Sequence, residues 1–140
     1  MILVDTGPFV ALFEPRDVYH RLCVDILATI QDILMTTVPV LTEAFHLLGP
    51  GTKASANLRL FISRGGVQVA QLQQEQLFRA FALMDTYADH PMDLADASLV
   101  VSAEWLDTNQ IMTVDRRDFA AYKIRKGYTH ISFSVLGPSR

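Results

Sequence analysis

Cysteine is nearly absent from the chain: Cys23 is the one cysteine in 140 residues. Neither an intramolecular disulfide nor a cysteine-based zinc site can therefore be built from it, and a small core filler is the expectation for this thiol. The four histidines, His20, His46, His90 and His130, are scattered without ligand spacing, and none is assigned a catalytic role. No apolar run approaches the roughly 18 residues of a membrane span, and no charged leader precedes an apolar segment at the N-terminus. The expectation is a soluble cytoplasmic protein without membrane contact. Positive charge is also scarce. Twelve Lys and Arg stand against fifteen Asp and Glu, and the net charge of −3 argues against a surface that binds nucleic acid uniformly through its phosphates. What basic charge there is crowds the last quarter, at Arg116, Arg117, Lys123, Arg125, Lys126 and Arg140. Any polyanion is expected to meet that end.

Half of the residues are apolar, which at this length suits one core, and residues 1–140 read as a single domain. Ile2-Leu3-Val4 predicts a short buried strand with Asp5 at its carboxyl end. A short helix follows Thr6-Gly7-Pro8 and ends at Glu14-Pro15, and a second helix is expected from Asp17, as N-cap, to Ile30. Ile33 to Thr37 reads as the second strand, and Pro39 fits the first turn of a third helix that stops at Gly49-Pro50-Gly51. Thr52 caps a fourth helix, and the alternating segment Val67 to Leu72 predicts a strand at a sheet edge. Gln73 to Tyr87 is an amphipathic helix. Asp93 or Leu94 opens another, apolar nearly all round and so buried, that runs to about Asp107. Ile111 to Val114 repeats the opening pattern and delivers Asp115. A brief helix over Asp118 to Tyr122 and a last strand over His130 to Leu136 complete the order. Strands alternating with helices imply a mainly parallel sheet, of about five strands, covered on both faces.

Four acids stand out. Asp5 and Asp115 end core strands; Glu43 and Asp96 lie near the starts of helices. Each has a plain structural use: Asp5, Asp115 and Asp93 as helix caps, Glu43 and Asp96 as first-turn acids favoured by the helix dipole. Together, at the carboxyl edge of one sheet, they would repel one another unless protonated or bridged by a cation. Oxygen donors without cysteine or clustered histidine select hard ions such as Mg²⁺ or Mn²⁺. Attack of water on a phosphodiester is the chemistry that uses such a cluster.

Val4-Asp5-Thr6, Leu41-Thr42-Glu43, Leu94-Ala95-Asp96-Ala97-Ser98-Leu99 and Thr113-Val114-Asp115-Arg116-Arg117-Asp118-Phe119, in that order, resemble the PIN-domain ribonucleases, and among them the VapC-type toxins of bacterial toxin–antitoxin pairs. The resemblance covers essentially the whole chain. It implies a three-layer α/β/α sandwich, an Mg²⁺- or Mn²⁺-dependent endoribonuclease, and Asp5, Glu43, Asp96 and Asp115 as the catalytic, metal-binding acids. It places Thr6, Asp93 and Asp118 as candidates around that set. RNA as substrate, a small antitoxin protein as inhibitor and a homodimer are further implications. Arg116 and Arg117 are best placed to meet RNA phosphate, with Lys123, Arg125 and Lys126 behind them. A rival reading keeps the fold as an RNA- or protein-binding module with little catalysis. A phosphatase or receiver domain with Asp5 as phosphoryl acceptor is remote, because Gly7 stands where that pattern wants a second aspartate.

Overall fold

A computed structural model describes residues 1–139, so Arg140 of the basic run lies outside the described residues. Among these, five strands form one all-parallel sheet. In chain order they are β1 (Ile2–Val4), β2 (Leu34–Thr37), β3 (Gln68–Ala70), β4 (Gln110–Met112) and, last, β7 (Ser134–Leu136), arranged β3-β2-β1-β4-β7. The first strand is thus the centre of the sheet, and every residue of β1 and β2 is buried, as an apolar strand covered on both faces must be. The alternating segment is an edge strand, as its pattern predicts.

The covering helices are α1 (Thr6–Phe13), α2 (His20–Thr29), α3 (Val38–Leu48), α4 (Lys53–Ser63), α5 (Gln74–Thr86), α6 (Leu94–Leu106) and α7 (Arg116–Ala121). Helix α1 packs on α2, α3 and α4, whereas α6 packs on α5 and reaches α3. Helix α6 buries Ala95 and every residue from 97 to 103. Its small residues permit close approach, and its two buried hydroxyls are satisfied internally. Ser98 donates to the Ala95 carbonyl and pairs with Thr37 Oγ1 at 2.6 Å, and Ser102 donates to the Ser98 carbonyl.

Two sequence expectations change. The segment from His130 to Leu136 is not one strand. It breaks at buried Phe133 into β6 (Thr129–Ser132) and β7, and β6 pairs antiparallel with β5 (Lys123–Lys126). The basic run is therefore a hairpin strand that holds on through Ile124, paired with Ile131, around a turn at Gly127 with φ +60°. Asp17 also does not cap α2, which begins at His20; its side chain accepts from the Tyr19 amide at 2.9 Å and shapes the preceding turn.

Candidate active site

Register fixes the heart of the site. Val4 lies opposite Met112 in the parallel ladder, so the chains leaving β1 and β4 carry Asp5 and Thr113 out side by side. Asp5, 7% exposed, splits its two oxygens. Oδ1 accepts from the Thr6 amide at 2.8 Å, which makes Asp5 the N-cap of α1, and Oδ2 accepts from the Thr113 hydroxyl at 2.7 Å. Burial pushes the Asp5 carboxyl up to about 6 against the pull of these two donors, and the charges of Glu43 and Asp93 add to the rise. Thr113 Oγ1 also accepts from the Asp115 amide at 2.9 Å, so one buried hydroxyl ties the first acid to the turn that carries the fourth. Asp115 caps α7 through the Asp118 amide, and burial followed by Asp118 raises it above the usual carboxyl range.

Asp96 sits in the first turn of α6, behind the N-cap Asp93, whose carboxylate accepts from the Asp96 amide at 2.8 Å. Burial, then Asp5 and Asp93, push the Asp96 carboxyl up to about 8, although the Tyr122 hydroxyl donates to its Oδ2 at 3.0 Å. Glu43, on α3, is raised by burial and by Asp93, with partial relief from the Thr6 hydroxyl. Asp118 is paired with His90 Nε2 at 2.6 Å.

Asp5, Glu43, Asp96 and Asp115, with Thr6, Asp93 and Asp118, line one cleft of about 430 Å³ that Gly7, Val10 and Val114 also border, and Asp17, expected only as a helix cap, lines it too. Capping and clustering prove to be compatible: Asp5, Asp93 and Asp115 each hold a helix start and still face the shared cleft. Among the described residues no three acids, histidines or cysteines are already drawn around a common point as a finished ion cage. The donor set nevertheless fits a hard divalent cation. It is all oxygen, and burial together with neighbouring acids raises Asp5 to about 6 and Asp96 to about 8, the direction that a nearby cation would reverse. Gly7 belongs to the same close packing, because a Cβ there would collide with Val114 Cγ2. The second aspartate of the phosphatase pattern has no room.

The basic candidates do not line this cleft. Arg116 is taken up structurally: its Nε donates to the Pro138 carbonyl at 2.8 Å, and its Nη2 reaches the Val135 and Gly137 carbonyls. These bonds pin the end of β7 and engage Nε and Nη2 of the guanidinium. Lys123 Nζ donates to the Ala120 carbonyl and Ser132 Oγ, and Lys126 pairs with Asp107 at 3.2 Å. Arg117 is exposed, and Arg125 borders a separate hollow with Glu104 and Asn109. Sequence reasoning missed Thr113, Tyr122 and His90. A threonine inside an apolar sequence run was the available signal for Thr113; the other two meet their acids across 26 and 28 residues, and nothing local marks them.

Comparison with known proteins agrees with this architecture. The Mycobacterium tuberculosis protein Ribonuclease VapC26 is 25% identical over 124 residues, spanning 87% of this chain and 92% of that protein. The crystal structure of M. tuberculosis VapC20, described as a sarcin-ricin loop cleaving toxin, superposes with a TM-score of 0.73 at 19% identity, over 79% of this chain and 87% of that one. A chain of a toxin-antitoxin complex from Klebsiella pneumoniae gives 0.68 at 20% identity, over 86% and 92%. Residues 2–124 match the PIN domain family, and the chain is a member of that family.

Proposed function

We propose that this chain is an Mg²⁺- or Mn²⁺-dependent endoribonuclease and the toxin of a VapBC-type toxin–antitoxin pair. The observation that carries the reading is the convergence of Asp5, Glu43, Asp96 and Asp115 on one cleft at the carboxyl edge of the sheet. A divalent ion bound there supplies Lewis-acid stabilisation of the charge that builds on a phosphodiester under attack by water. The chain's own part is to hold the acids. Thr6 and Thr113 fix both oxygens of Asp5, Tyr122 fixes one of Asp96, and Glu43 and Asp115 complete the set. Asp93 and Asp118 add negative charge at the rim, and Thr6 brings a hydroxyl beside Glu43. Among the candidate cations near the last quarter, Arg117 and Arg125 make no side-chain bond to the described residues, and we assign them to RNA phosphate, with Arg116, Lys123 and Lys126 supporting them.

The experiment is direct. Asp5→Asn and Asp96→Asn each abolish Mg²⁺-dependent RNA cleavage while the circular dichroism spectrum stays that of the wild type; cleavage at the wild-type rate by both variants would sink the assignment. A small antitoxin would cover the cleft and set an arginine among the acids. Residues 1–140 work as one domain in the cytoplasm, and a homodimer would bury the apolar side chains of α2 and α3, of which Leu22, Val38 and Leu47 are exposed. Sedimentation showing a monomer at micromolar concentration would refute the dimer.

A further inference from the structure

The Asp96 carboxylate receives one hydrogen bond from the described residues, and it comes from the far side of the chain. Tyr122, the residue that ends α7, is wholly buried, and its ring is boxed edge-on by three others. Tyr87 lies 5.2 Å away at 77°, Phe119 5.3 Å away at 85° and His90 5.6 Å away at 84°. Such packing confines the ring and holds its hydroxyl beside Asp96. It donates to Oδ2 at 3.0 Å, and the other carboxylate oxygen is left without a protein donor among the described residues, in a side chain that borders the cleft. The same cluster reaches a second rim acid, since His90, packed on Tyr122, bonds Asp118.

We propose that Tyr122 is a positioning residue: its hydroxyl holds the Asp96 carboxylate in the orientation that presents the free oxygen to a divalent cation in the cleft. The inference rests on the metal-site reading above and deepens it. Orienting groups of this kind change metal affinity about 10- to 100-fold when removed. A buried tyrosine also needs a partner for its own hydroxyl, and a bond to Asp96 could serve that need alone. Tyr87 separates the two. It belongs to the same cluster, but its hydroxyl accepts from the Lys123 amide at 2.9 Å and makes no hydrogen bond to an acid among the described residues.

Mn²⁺ binding by the full chain, followed by electron paramagnetic resonance with Tyr122→Phe and Tyr87→Phe beside the wild type, tests the inference. The expected result is a Kd raised about tenfold or more by Tyr122→Phe and unchanged within twofold in Tyr87→Phe. Equal affinity in Tyr122→Phe, or equal weakening by both variants, would overturn it while leaving the metal site standing. A wild-type protein that takes up no Mn²⁺ would overturn the inference and the metal-site reading together. Should Tyr122→Phe not fold, ¹³C-tyrosine-labelled wild type answers the same question. Added Mg²⁺ is expected to shift the Tyr122 ring signal and leave that of exposed Tyr128 in place, and an unmoved Tyr122 signal refutes the role.

Discussion

Asp96→Asn should make the metal-free protein more stable at neutral pH while destroying its activity. The Asp96 carboxyl, ordinarily near 3.8, is pushed to about 8 by burial and by the charges of Asp5 and Asp93. At face value that gap corresponds to ~5 kcal/mol near pH 7.5, the free energy by which the unfolded chain, free to ionise, is favoured. The side chain is partly open to water, and screening brings the figure to ~2 kcal/mol. The folded state binds the proton more tightly than the unfolded one. The stabilisation from this group is therefore complete below about pH 4 and is lost as pH rises through about 8. Asparagine removes the charge but keeps a carbonyl oxygen for the Tyr122 hydroxyl. In excess EDTA at pH 7.5 the variant should melt about 7 °C above the wild type, for a chain of this size. The difference should shrink to about a degree at pH 4, where the folded carboxyl is protonated and the unfolded one, with its ordinary value of 3.8, is only about half ionised. Saturating Mn²⁺ should reverse the order, because binding to the native state raises the wild type selectively. A variant that melts at or below the wild type in EDTA at pH 7.5 would refute the claim that the cleft stores this electrostatic cost.

Thr113→Val keeps the buried shape but deprives Asp5 of a donor and the Asp115 amide of its acceptor. We expect a loss of about 2 kcal/mol in urea unfolding at pH 8 and a smaller one at pH 5, where Asp5 is largely protonated; equal losses at the two pH values would contradict the role given to the hydroxyl. Gly7→Ala forces a methyl into Val114 and should cost about 1 to 3 kcal/mol by thermal unfolding, with cleavage reduced through displacement of the neighbouring Asp5; a variant as stable as the wild type would show that the approach of α1 to Val114 has slack. Arg79 holds Glu104 through two bonds of 3.0 and 2.9 Å, and Glu104 is 7% exposed. Arg79→Ala should destabilise by about 3 kcal/mol without changing Mn²⁺ affinity, and altered affinity would mean that α5 communicates with the cleft.

Much of the site was legible because β1 and β4 write it locally: an apolar run of a few residues ending in an acid marks both a buried strand and the place where its chain leaves the sheet. The buried character of α6 was equally open, since its apolar residues leave no polar face. The hairpin was not. In Lys123–Lys126 Ile124 alone is buried, and a strand with three cations and one core residue carries neither alternation nor a continuous apolar run. The structural bonds of Arg116 were hidden for a related reason: adjacency to Asp115 suggested the substrate side, and the three carbonyls that hold its Nε and Nη2 lie 19 to 22 residues further along. Thr113, Tyr122 and His90 act through contacts that exist only after the sheet and α7 have come together.

In the proposed function, acids remote in sequence share one ion. Crystals of the protein soaked in Mn²⁺ test it most directly by anomalous scattering. A peak is expected inside the cleft, within about 2.1 Å of oxygens from Asp5 and Asp96 at the least, and lost in the Asp96→Asn protein. A peak elsewhere, or an empty cleft in a protein that still cuts RNA in EDTA, would contradict it.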